Sequence, residues 1–211
     1  MNIPNKLTVF RVILVPIVCA IWLFPYGQFG ISFPNLYVGH VSISYLNLIV
    51  LFIFALASFT DFLDGQIARK KNLITTFGKF ADPIADKLLV NSMLIILAYK
   101  RMIPVLPCVI MIARDIVVDG CRMIAASNGT VVSAGILGKA KTALQMVSII
   151  LVLLNNVPFE LFYLPVSDLL IWFTSFVSVA GGFSYFSQLK KYIFESMWGE
   201  NEFSLNNIYE R

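Results

Sequence analysis

The chain has 211 residues, 58% hydrophobic and only 13% charged, with a formal net charge of +4 and a mean hydropathy of +0.81. Soluble domains carry about 25% charged residues, so the composition excludes an ordinary soluble globular protein and points to a membrane one. Six apolar stretches, at about 7–24, 44–68, 82–100, 103–126, 136–155 and 167–188, meet or approach the roughly 20 residues that cross a bilayer. The expected fold is therefore all-α: a polytopic membrane protein of six transmembrane helices, forming one domain over residues 1–211.

Residues 1–11 mix apolar and polar positions and suit an interfacial segment leading into the first helix. Pro4 and Pro16, with no small-residue cleavage site after the apolar run, argue against a removed signal. Residues 25–44 carry Pro25, Gly27, Gly30, Pro34 and Gly39, the marks of a turn-rich loop, and hold the only histidine, His40. A lone histidine in such a loop is not expected to bind metal or act in catalysis. Cys19, Cys108 and Cys121 lie in apolar runs without pairing or metal-ligand spacing and read as small buried hydrophobes. The tail from about residue 192, with Glu195, Glu200, Glu202 and Glu210, turns polar and is expected to leave the membrane.

Positive charge is distributed unevenly. Lys6, Arg11, Arg69, Lys70, Lys71, Lys79, Lys87, Arg122, Lys139, Lys141, Lys190 and Lys191 fall on one set of connections; the other set holds Lys100 and Arg101. The positive-inside rule then places both termini and the 2–3 and 4–5 connections in the cytoplasm of a cytoplasmic-membrane protein.

The second and third stretches carry an array of carboxylates: Asp61-x2-Asp64-Gly65-x2-Ala68-Arg69-x8-Gly78-x3-Asp82-x3-Asp86. A carboxylate at the centre of a membrane helix costs roughly 2.5–3.5 kcal/mol on insertion scales, so a cluster needs a compensating partner. Hard divalent cations supply it, because carboxylate oxygens are their preferred ligands. Asp61 and Asp64 are three residues apart and Asp82 and Asp86 four, so each pair shares a helix face. Two facing pairs suit two cations, Mg2+ or Mn2+, and such sites clamp the attacking and leaving oxygens of a phosphoryl displacement. If the second helix starts near Ser44, Asp61 lies about 25 Å along its axis, near one edge of the hydrocarbon core. That depth suits the joining of a water-soluble molecule to a lipid. Gly65 and Ala68 lack the bulk that would keep a base or ribose from the backbone, although a tight helix–helix contact explains them too. Arg69 can pair with a diphosphate.

Two further polar groups follow. Arg114, Asp115, Asp119 and Arg122 recur at helical spacing in the fourth stretch, and Gly138-Lys139-Ala140-Lys141-Thr142, with Gln145, opens the fifth. The aspartates also read as a neutralising ion network, and the lysines as membrane anchors. Lysines at a helix start oppose its dipole, which suggests an anion facing them. Arg114, Arg122, Lys139 and Lys141 are accordingly the candidates for binding the phosphate of an acceptor.

The carboxylate array is similar, at every defined position, to the signature of the CDP-alcohol phosphotransferase family. That resemblance implies a six-helix bundle, usually homodimeric, with a two-metal site at the cytoplasmic membrane face, which displaces CMP from a CDP-linked donor with an alcohol acceptor. It implies that Asp61, Asp64, Asp82 and Asp86 hold the metals, that Asp86 is also the catalytic base, and that Asp64, Gly65, Ala68, Arg69, Gly78, Asn5 and Thr8 bind the donor. Asn2 to Thr8 with Arg11, Arg114-Asp115, and Gly138 to Gln145 resemble members that transfer a phosphatidyl group from CDP-diacylglycerol to glycerol 3-phosphate. Other acceptors, namely serine, inositol phosphate and phosphatidylglycerol, stay open. Intramembrane prenyltransferases lack the Asp-Gly-x2-Ala-Arg run, and a metal-ion transporter would place its carboxylates near the bilayer midplane. No base-reading surface is present, so no nucleic-acid partner is expected.

Overall fold

The computed structural model describes residues 2–70, 76–127 and 135–198, without the side chains of residues 3, 4, 62–70, 76, 77, 79, 80 and 191–198. Six helices dominate it: α1 (Ile3–Leu23), α2 (Tyr45–Lys70), α3 (Thr76–Tyr99), α4 (Val105–Ser127), α5 (Ile136–Leu153) and α6 (Val166–Trp198). Helix α1 runs without interruption from Ile3, so the N-terminal lead-in is its first turns; a proline in the first turn, where no N–H is needed, suits that start. Ser44 accepts the Leu46 N–H at 3.3 Å and so caps α2. Helix α3 begins six residues earlier than the apolar pattern, which makes Gly78 helical, and α6 extends beyond the expected apolar run to Trp198.

Among the described residues, three spans are long and apolar enough to cross a membrane: Asn5–Leu23, Ile136–Leu153 and Val166–Lys190; a shorter one is Tyr45–Asp61. The described side chains of α2 end at Asp61, and α3 and α4 have the length but are interrupted by several ionisable side chains. Those interruptions are the candidate functional residues.

The 25–44 segment is not only turns. Asn35–Val38 (β1) and Val41–Ser44 (β2) pair antiparallel, with Val38 opposite Val41. Gly39, the first of the two loop residues, has φ +61°, the pattern of a type II′ hairpin. Val41 and Ile43 are buried while Ser42 and Ser44 are not, a two-residue alternation too short to stand out among so many turn residues.

The chain divides into two compact units. The first comprises residues 1–105 and 146–169. In it, α1 packs on both α2 and α3, around a core that includes Val18, Trp22, Phe54, Ala57, Leu89, Met93 and Leu97. Trp22 donates to Asn47 Oδ1 at 3.3 Å, and Lys100 lies 5.6 Å from its ring centre. Burial lowers the pKa of that lysine, because the charged form loses solvation. The hairpin docks on the α5–α6 connection. His40 Nε2 lies 3.0 Å from the Glu160 carbonyl, its ring stacks on Tyr163, and Asn155 donates to the Ser42 carbonyl at 2.6 Å. His40 is thus a structural contact. The second unit comprises 106–145 and 170–211; its core includes Val118, Ala125, Tyr185 and Leu189 with Cys121 packed against them.

Candidate active site

In the first unit the site is organised by one face of α1. Asn5, Thr8 and Arg11 recur every three residues and are buried, and Leu14, Val15, Val18 and Trp22 carry the buried face onward as an apolar one. A helix that packs on both α2 and α3 can therefore present polar groups to the carboxylates of each. It does so twice. The Thr8 hydroxyl donates to Asp82 Oδ1. The Arg11 guanidinium, with a side chain 0% exposed, is 2.6 Å from Asp61 Oδ1, whose side chain remains 39% exposed. Asp82 and Asp86 are both partly buried on α3, Ala85 between them is fully buried, and Gly78 is buried one turn before Asp82.

The backbone of Asp64, Gly65, Ala68 and Arg69 lies in α2, but the side chains lie outside the described residues, as does the 71–75 connection. Among the described residues no three His, Cys, Asp or Glu side chains form a metal-binding group. The chemistry of the donors that are described fits a hard cation: Asp61, Asp82 and Asp86 offer only carboxylate oxygens, and none is fully buried.

In the second unit the fourth-helix and fifth-helix residues come together. Asp115, buried on α4, accepts from Arg114 Nη1 at 3.1 Å through one oxygen and from Lys141 Nζ at 2.6 Å through the other. Arg114 Nε also donates to the Ser178 carbonyl of α6 at 3.0 Å. Arg122 Nη2 donates to the Tyr185 hydroxyl at 2.7 Å. Lys139 and Lys141 differ in their surroundings: Lys141 is buried in the ion pair, and Lys139 is exposed. Residues two apart leave a helix in different directions, which the spacing alone foretells. Gln145 is buried on α5.

Two participants were not among the predicted site residues. Arg11 carries the signal of a cation three positions beyond Thr8 on the same face, and its pairing with Asp61 is a contact across 50 residues. Tyr185 carries no sequence signal, because α6 is otherwise an apolar helix rich in aromatics.

Carboxylates on two successive helices, Asp61 paired with a buried arginine and Asp82 with a threonine, are an arrangement suited to phosphoryl transfer in a largely apolar helical fold. A model of the CDP-alcohol phosphatidyltransferase family matches residues 1–180, and the chain belongs to that family. The family is generally dependent on divalent metal. Over 187 residues the chain is 43% identical to the CDP-diacylglycerol–glycerol-3-phosphate 3-phosphatidyltransferase of Bacillus subtilis (strain 168), covering 89% of this chain and 94% of that one. A protein of the same name from Rickettsia bellii (strain RML369-C) is 36% identical over 90% of this chain and 97% of its own. One from Pseudomonas fluorescens is 34% identical over 90% and 88%.

Proposed function

We propose that this chain transfers the phosphatidyl group of CDP-diacylglycerol to glycerol 3-phosphate, giving phosphatidylglycerophosphate and CMP in the synthesis of anionic phospholipids. The observation that carries the reading is likeness, over nine tenths of the chain, to relatives named for that reaction. Asp61, Asp64, Asp82 and Asp86 would hold two Mg2+ or Mn2+ ions. When bound, such ions neutralise the diphosphate and the charge developing on the departing CMP.

The residues of the chain do the rest. Asp86 takes the proton of the 1-hydroxyl of glycerol 3-phosphate, through an oxygen that is not engaged with metal. The acceptor oxygen then forms a bond to the phosphorus that carries diacylglycerol, and the bond from that phosphorus to CMP breaks. Arg69 pairs with the diphosphate, Gly65, Ala68 and Gly78 leave room for the nucleotide, and Asn5 and Thr8 line the donor side. Thr8 and Arg11 also orient Asp82 and Asp61, so that the carboxylates need not reorganise during the reaction. Arg114, Arg122, Lys139 and Lys141 bind the phosphate of the acceptor, a role that a neutral acceptor would not require. The protein works in the cytoplasmic membrane as a homodimer, with six spans in the lipid bilayer and both termini and the active site facing the cytoplasm.

The test is CMP release from CDP-diacylglycerol by purified protein with Mg2+, comparing glycerol 3-phosphate, inositol 1-phosphate, serine and phosphatidylglycerol. Release is expected with glycerol 3-phosphate. Release with another acceptor in its place would refute the acceptor assignment while retaining the reaction class.

A further inference from the structure

The proposal that Arg114 and Arg122 bind the acceptor phosphate leaves open how two such flexible side chains are brought to one place. They are eight residues apart on α4, a separation of about 12 Å along the axis. Yet both guanidinium groups lie over a single ring, that of Tyr185 on α6, at 4.8 Å for Arg122 and 5.9 Å for Arg114. The phenolic oxygen has two acceptor positions. It accepts Arg122 Nη2 at 2.7 Å and the backbone N–H of Gly135, just ahead of α5, at 2.9 Å. Tyr185 thereby ties α4 and the start of α5 to α6.

The same face of α6 holds the second arginine. Ser178, Gly181, Gly182 and Tyr185 stand at helical spacing on one side. The Ser178 carbonyl accepts Arg114 Nε. A Cβ at Gly181 would stand 3.0 Å from Arg114 Nη2, and one at Gly182 3.2 Å from its Cγ. The missing side chains let Arg114 pack closely on this face, with its guanidinium against Gly181 and its stem against Gly182. Among the described residues, the buried Arg114 Nη2 and Arg122 Nε meet no acceptor. Two buried donors without partners beside an ordered cation pair suit an anion with several oxygens.

We propose that Tyr185, with Gly181, is the positioning element of the acceptor-phosphate site: it fixes Arg122 and Arg114 in place before glycerol 3-phosphate arrives. The proposal rests on the reading of these arginines as phosphate ligands. Its physical content is preorganisation. An arginine side chain has many rotamers to lose, and a ligand that must first order two of them binds more weakly. Loss of the hydroxyl therefore acts on the acceptor and not on CDP-diacylglycerol.

The experiment is steady-state kinetics of the full chain with CDP-diacylglycerol and Mg2+, on Tyr185→Phe, Arg122→Ala and the double variant, with Gly181→Ala beside them. Tyr185→Phe keeps the ring and removes one charge-assisted contact. It is expected to raise KM for glycerol 3-phosphate about tenfold, with kcat within about twofold and KM for CDP-diacylglycerol unchanged. Arg122→Ala raises the same KM at least as far, and adding Tyr185→Phe to it raises that KM by less than Tyr185→Phe does alone, because only the Gly135 N–H contact remains to be lost. Gly181→Ala gives the same acceptor-only signature and reads the proposal independently if Tyr185→Phe does not fold. A normal KM in Tyr185→Phe beside a raised one in Arg122→Ala overturns the positioning role and leaves the phosphate site standing. A normal KM in Arg122→Ala overturns both. Equal losses toward both substrates with a lowered melting temperature would make Tyr185 merely structural.

Discussion

Arg11 is a fully buried cation whose guanidinium meets a half-exposed carboxylate 50 positions away. Such a pair places two elements at once: it anchors α1 and it points Asp61. Arg11→Met keeps the length of the stem and removes the guanidinium, leaving Asp61 without its charged partner. The variant is expected to lose about 2 kcal/mol of stability, read as thermal unfolding in detergent. It is also expected to lose at least about tenfold in kcat below its melting temperature, because Asp61 is no longer held. Unchanged kcat in folded Arg11→Met would separate Arg11 from the chemistry. Arg11 shows where residue-level reading stops. Its charge counts toward the cytoplasmic side in the sequence, but which carboxylate it meets is decided by the packing of α1 on α2.

At the scale of elements, the hairpin and the α5–α6 connection form a polar cap apart from the carboxylates. Asn156 organises it. The side chain is buried, donates to Glu160 Oε2 at 2.8 Å and the Leu164 carbonyl at 2.6 Å, and accepts the Ser167 N–H at 3.0 Å. Asn156→Ala leaves the Glu160 carboxylate, the Leu164 carbonyl and the Ser167 N–H without this partner, and is expected to cost about 1–3 kcal/mol in thermal unfolding while kcat stays at the wild-type level. A large fall in kcat without a change in melting would contradict this separation. The helices were largely legible in the sequence because a membrane helix announces itself by a long apolar run. The carboxylate array was legible for the opposite reason, since charges are rare there and must be explained. The hairpin was not, because two four-residue strands amid glycine and proline give too short an alternation to distinguish from turns. Tyr185 was not either. On an aromatic-rich helix, a hydroxyl that orders a cation looks like any other ring until the arginines are placed against it.

For the whole molecule, the two units hold different polar groups. The first carries Asp61, Asp82 and Asp86 and the α1 face that meets Asp61 and Asp82; the second carries Asp115 with Arg114 and Lys141, and the α6 face that meets Arg114 and Arg122. The central claim is that these groups together pass a phosphatidyl group to glycerol 3-phosphate. The most direct measurement follows labelled glycerol 3-phosphate into chloroform-soluble lipid, using purified protein, CDP-diacylglycerol and Mg2+, with EDTA and Asp86→Asn as controls. One label is expected to enter lipid for each CMP released. EDTA should abolish the transfer and added Mg2+ or Mn2+ restore it, and Asp86→Asn should lower it by at least about a hundredfold. CMP release without label in lipid, or full activity in Asp86→Asn, would contradict the account.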